Sequence, residues 1–100
     1  MKISAAIITF NEEKNIARCI KSVLPIADEI VVIDSFSTDN TEKICKELGV
    51  IFFQQKFLGH IEQKNNAVAA TQFDWVLSLD ADEELSDELS KSILQLKKEK

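Results

Sequence analysis

Four carboxylates fall within five residues at Asp80-Ala81-Asp82-Glu83-Glu84, directly after the apolar run Trp75-Val76-Leu77-Ser78-Leu79. An apolar strand that ends in acids delivers them at its carboxyl edge, where open α/β sheets bind ligands. Residues i and i+2 of a strand point the same way, so the spacing Asp-x-Asp lets Asp80 and Asp82 share a face. Two carboxylates aimed at one point repel each other unless a cation lies between them. Hard oxygen ligands at short spacing suit Mg²⁺ or Mn²⁺ better than Zn²⁺. The alternative is a solvated turn leading into an acidic helix start.

Two further apolar runs end in polar residues. Ile3 to Phe10 is followed by Asn11-Glu12-Glu13, and Ile30 to Ile33 is followed by Asp34-Ser35. In a parallel sheet these ends share an edge with Asp80-Ala81-Asp82. Other chemistries lack their residues. The chain has no G-x-G-x-x-G, no Walker lysine loop and no Gly-x-Ser-x-Gly elbow. His60 is the only histidine, so no zinc cluster or Cys/His pair presents itself.

These residues need elements to position them. Ile3 to Phe10 and Glu29 to Asp34 read as strands buried on both faces. Asn11 is an expected N-cap, with Glu12 and Glu13 at the positive end of a helix carrying Ile16, Ile20, Val23 and Leu24, stopped by Pro25. Asp39 with Glu42 resembles a capping box before a helix through Ile44, Cys45 and Leu48 that ends at Gly49. Val50 to Phe53 is a third strand, and residues 59 to 71 are a helix with weaker apolar spacing. Phe73 to Leu79 is a fourth strand. Ser86 caps a last helix with Leu89, Ile93 and Leu96 on one side, fraying into a solvated Lys97 to Lys100 tail. Strands alternating with helices imply an α/β fold: a mostly parallel sheet of about four strands with helices on both faces.

One hundred residues make one domain, 1–100, with a modest core. At 45% hydrophobic and 29% charged, with one Pro and two Gly, it has no linker or low-complexity segment. The net charge of -5 argues against a nucleic-acid partner. Cys19 and Cys45 fall on apolar helix faces and read as small buried hydrophobes of a reducing compartment. The longest apolar run is too short to span a bilayer, and no signal peptide is evident, so a cytoplasmic chain is expected.

Ile8-Thr9-Phe10-Asn11-Glu12-Glu13, Val32 to Thr41, Gln63-Lys64-Asn65 and Trp75 to Glu84 together resemble family 2 glycosyltransferases of the Rossmann-like GT-A fold. Within that family they look most like the bacterial branch that adds glucose to the lipopolysaccharide core. The resemblance runs from about Ile3 to Leu89 and covers the N-terminal, nucleotide-sugar-binding half. It implies an inverting enzyme that takes a UDP-sugar donor and a glycan or lipid-linked acceptor, with Mg²⁺ or Mn²⁺. Such an enzyme sits in the cytoplasm, peripheral at the inner membrane face.

The resemblance also implies roles for particular residues. Phe10 and Asn11 line the nucleoside slot, with Phe10 close to the base, and Asp34 bonds the base or ribose. Lys64, otherwise an ordinary solvated helix lysine, approaches the diphosphate, with the Gly59 loop backbone as a companion candidate. Asp80 contacts the ribose or the ion, and Asp82 binds the metal. Many relatives carry a second acid where this chain has Ser35 and a glycine where it has Phe36. The family's catalytic base is expected beyond Lys100, and Glu83 and Glu84 are not assigned to it. With an acceptor half absent, the chain alone is expected to bind nucleotide without turning over, and an unpaired sheet edge to favour self-association. The alternative from another class is a phosphoacceptor receiver-like domain, also a small parallel α/β fold with acids at strand ends. It calls for an acid pair after the first strand, where this chain has Phe10-Asn11.

Overall fold

The structure, a computed structural model, describes residues 1–99. Strands and helices alternate: β1 (Ile3–Thr9), α1 (Ile16–Val23), β2 (Glu29–Asp34), α2 (Thr41–Glu47), β3 (Ile51–Gln54), α3 (His60–Ala69), β4 (Trp75–Asp80) and α4 (Asp87–Glu99). The strands form one parallel sheet in the order β3-β2-β1-β4. The α/β class, the parallel sheet and the helices on both faces are as the sequence implies.

β1 is buried along its whole length because strands flank it on both sides and helices cover both its faces. Its alternation sorts the core into two layers. Ile3, Ala5 and Ile7 join Ile30 and Val32 against Ile16, Cys19, Ile20 and Val23 of α1 and Cys45 of α2. Ile93 and Leu94 of α4 pack on the margin of that layer. Ala6 and Ile8 join Val31 and Ile33 against Ala67 of α3 on the opposite face. Each fully buried Ile or Val contributes roughly 1.5–3 kcal/mol. Cys19 and Cys45 are free and buried, as expected.

Several local expectations are corrected by tertiary contacts. Asn11 does not cap α1. Its φ is 49°, in the left-handed region, and its Oδ1 accepts from the Thr38 N–H at 2.7 Å. The Asn11 N–H donates to Ser37 Oγ at 2.8 Å and the Glu12 N–H to Thr41 Oγ1 at 3.0 Å. These bonds to the β2–α2 loop and the first residue of α2 hold residues 11–13 out of the helix, so α1 has no acid in its first turn and Asn15 stands at its N-cap. Leu24 is half-exposed, past the last buried turn.

Asp39 is not the N-cap of α2: Asn40 stands there without a side-chain cap bond, while Asp39 accepts from the Thr41 N–H at 2.9 Å across the turn, and Glu42 pairs with Lys46 at 2.7 Å rather than completing a capping box. Gly49 closes α2 at φ 75°, a region that favours glycine. The Val50 N–H is drawn to Cys45 O, which starts β3 one residue later than expected. β4 starts at Trp75, where it meets Ile3 of β1, rather than at Phe73.

Ser86 caps α4, its Oγ accepting from the Leu89 N–H at 3.1 Å. Leu89 and Leu96 are half-exposed, so the packed side of α4 runs through Ile93 and Leu94 instead. Lys97 is no solvated tail. Its Nζ donates to Ile26 O at 2.9 Å and to Asp28 Oδ2 at 2.7 Å. Lys100 lies outside the described residues.

Candidate functional site

β1, β2 and β3 follow one another in one direction across the sheet, and β4 then returns to the other side of β1. That reversal between β1 and β4 is a topological switch point, the place where open α/β sheets form a ligand crevice at their carboxyl ends. A cleft of about 240 Å³ opens there. Ile8, Thr9 and Phe10 of the β1 end line it, with Ser35 after β2, Phe57, His60 and Gln63 from the α3 region, and Asp80, Ala81 and Asp82 after β4.

Phe10 is 56% exposed at the rim and offers an apolar face to a planar ring. The acids beside it are held by a tight turn. The Ala81 N–H continues the ladder to Ile8 O at 3.0 Å, and the Glu83 N–H closes onto Asp80 O at 2.9 Å. Glu83 Oε1 in turn accepts from the Asp80 N–H at 2.7 Å, so Glu83 serves the turn. Asp82 is exposed within it. Asp80 and Asp82 thus reach one cleft through a turn, not through strand alternation.

Lys64 Nζ lies 3.4 Å from Asp80 Oδ1, both side chains being partly exposed, so solvent keeps the pair weak. That Oδ1 atom is itself buried and accepts no hydrogen bond. Beneath the turn, the Cys19 thiol lies 3.7 Å from Asp80 O. Its pKa is pushed up to about 12, by burial first and then by Glu83, Asp82 and Asp80. It is a packing group, not a ligand.

Asn11 and Asp34 are not among the residues that line the cleft. Asp34 is fully buried; its carboxylate accepts from the Ser37 N–H at 2.9 Å, from the Ser37 hydroxyl and from Gln54 Nε2 at 3.3 Å. Ser37 passes that support to Asn11, whose N–H it accepts. The structure therefore brings Phe10, Asp80 and Asp82 together, with Lys64 reaching them through Asp80. Sequence reasoning gave Phe57 and His60 no place in a site, and quoted Ser35 and Gln63 in its motifs without assigning them a role. The signal was the weak apolar spacing of α3: His60, Gln63 and Lys64 stand at i, i+3 and i+4, one polar stripe on a helix packed against the sheet.

The donor set suits a hard divalent cation. Asp80 Oδ1, buried and accepting no hydrogen bond, and the exposed Asp82 carboxylate are oxygen ligands, and among the described residues no group of three or more His, Cys, Asp or Glu is placed to enclose an ion. Mg²⁺ is commonly held this way, by one or two carboxylates completed by substrate phosphates and water.

The fold and cleft define a parallel α/β domain of the GT-A type, with a polar site at its switch point. Residues 4–100 match the family described as Glycosyl transferase family 2, and the chain belongs to that family. An uncharacterized glycosyltransferase of Rickettsia typhi is 51% identical over 92% of this chain and 32% of its own length. The lipopolysaccharide core biosynthesis glycosyltransferase LpsC of Rhizobium meliloti is 33% identical over 96% of this chain and 37% of its own. Glucosyl-3-phosphoglycerate synthase of Mycobacterium tuberculosis, solved with Mn²⁺, UDP and glucosyl-3-phosphoglycerate, superposes with a TM-score of 0.72 at 28% identity, covering 83% of this chain and 35% of that one. The chain thus spans about a third of the length of each of these relatives. The family match sets the phosphoacceptor alternative aside. No helix among the described residues is long and apolar enough to cross a membrane.

Proposed function

We propose that this chain is the donor-binding part of an inverting glycosyltransferase that uses a UDP-sugar, with glucose the sugar the resemblance favours. Asp82 and Asp80 hold Mg²⁺ or Mn²⁺ against the diphosphate, and Lys64 turns from Asp80 toward the phosphates. Phe10 stacks on the base, while Asn11 and Asp34 shape the nucleoside slot. The cation supplies charge stabilisation to the departing nucleoside diphosphate without proton transfer. In-line displacement also requires a carboxylate base for the acceptor hydroxyl, and no residue of this chain is assigned that role.

The observation that carries this reading is Asp80 Oδ1, which accepts no hydrogen bond and has only the weak Lys64 ion pair, beside Asp82 and Phe10 in the switch-point cleft. The M. tuberculosis neighbour, solved with Mn²⁺ and UDP, supports the donor and the ion. The likeness to LpsC supports a lipopolysaccharide core acceptor, and with it a cytoplasmic place at the inner membrane face. On its own the chain would bind nucleotide without turnover, and would self-associate through β3 or β4, each hydrogen-bonded on one side only.

Calorimetric titration of UDP with and without Mn²⁺ tests the proposal. Metal-dependent UDP binding is expected, and Asp82→Ala should abolish it while leaving the melting temperature unchanged. A wild-type chain that binds neither UDP nor metal sinks the reading. Unchanged binding in Asp82→Ala removes that residue from the site.

A further inference from the structure

Gln63 is only 1% exposed, yet it lines the cleft. Its Nε2 donates to Ser35 Oγ at 3.1 Å, and its Oε1 has no partner. An amide oxygen buried without a donor is costly, and such groups in folded proteins call for an explanation. Ser35 Oγ accepts the Gln63 bond while its own proton is given to no residue among those described. The two side chains therefore set an acceptor beside a donor on one wall of the cleft.

Their place along the wall says which part of a ligand they meet. Asp80 ends β4 and Ser35 follows β2, with β1 and Phe10 between them. Two strand spacings amount to about 10 Å. A nucleoside diphosphate with its phosphates at Asp80 and Asp82 crosses Phe10 and brings its base to Ser35 and Gln63.

We propose that Gln63, backed by Ser35, is a specificity-determining residue that reads the imide edge of uracil. This rests on the nucleotide-sugar reading above. The uracil N3–H donates to Gln63 Oε1, and the Ser35 hydroxyl donates to an adjacent ring carbonyl. Cytosine has a lone pair at N3 where uracil has a proton, so it faces the amide oxygen with no hydrogen to give. A site built around a hydrogen bond discriminates strongly against the analogue that lacks it.

The test is Gln63→Met, which keeps the length and volume of the side chain and removes both polar atoms. UDP, CDP and 2′-deoxy-UDP are titrated into wild type and variant with Mn²⁺ present. The wild type should favour UDP over CDP by about tenfold or more. In Gln63→Met, UDP affinity should fall about tenfold and the UDP-to-CDP ratio should approach one, with the UDP-to-2′-deoxy-UDP ratio unmoved. An unchanged UDP-to-CDP ratio overturns the proposal. So does a change confined to the 2′-deoxy ratio, which would put Gln63 on the ribose. Should Gln63→Met fail to fold, Gln63→Leu reads the same two ratios with the same expected and overturning results. A wild type that binds UDP with an unaltered variant ratio refutes the role of Gln63 alone, whereas a wild type that binds no UDP removes the nucleotide reading itself.

Discussion

Asp34→Ala separates a residue that holds the site from one that only touches a ligand. The Asp34 carboxylate accepts from the Ser37 N–H, the Ser37 hydroxyl and the Gln54 amide, and Ser37 in turn holds the Asn11 N–H. Alanine leaves those donors without their acceptor. A hydrogen bond to a charged group contributes about 1.5–3 kcal/mol, and a stranded buried donor costs about 1–3 kcal/mol. Ser37 is only partly buried, so water recovers part of the loss, and removing a buried charge without a cationic partner offsets more. The net destabilisation comes to about 2 kcal/mol. For a domain of this size that lowers the melting temperature by about 8–16 °C. Thermal unfolding followed by circular dichroism, without nucleotide, measures it. Nucleotide affinity should fall as well, because the Asn11 turn beside Phe10 loses its anchor. A ligand-free variant melting within about 2 °C of wild type would refute the reasoning and leave Asp34 as a direct ligand contact at most.

Lys97→Met should destabilise by about 1 kcal/mol, lowering the melting temperature by about 4–8 °C, because α4 loses its tie to Ile26 O and Asp28. The effect should depend on pH. The Lys97 bond, and then the Ile3 N–H, hold the Asp28 carboxyl below its usual 3.8. A depressed folded-state value contributes stability that is present above the unfolded value and lost as pH falls through the folded one. The gap between wild type and variant should therefore be full at pH 6 and shrink below about pH 4 in urea titrations at each pH; a gap constant down to pH 2 contradicts the linkage. The two thiols should resist Ellman's reagent at pH 8 in the folded chain and react once it is denatured. Cys19 and Cys45 are both fully buried and pushed up to about 12, by burial first and then by nearby carboxylates. Fast labelling of the native chain counts against that burial.

Much of this molecule is legible in its order of residues. The apolar runs at Ile3 and Ile30 can only be strands covered on both faces, and the alternation with helices leaves few arrangements besides a parallel sheet. Polar residues at three strand ends then point to one edge, so Phe10, Asp80 and Asp82 were within reach of periodicity and motif. These are local properties: burial period, capping chemistry and strand polarity are written into neighbouring residues.

Pairing at a distance was not legible. Asn11 looks like a helix cap because its own neighbours say so, yet partners 26 and 27 residues away hold it in a left-handed turn. The same loop puts Phe36 at φ 61°, where the resemblance leads one to expect glycine and where a Cβ costs roughly 1–2 kcal/mol. Lys97 looks like a frayed end until α4 brings it to Asp28, 69 residues back. Gln63 has no role in its motif until α3 turns it onto Ser35. The acidic strand end and its sheet edge follow from the sequence alone. Which side chains meet across the cleft, and which polar atoms are left there for a ligand, was decided only when β4 crossed to the far side of β1. Hydrogen bonds are short-ranged and directional, so their partners exist only once the packed layers have set the distances.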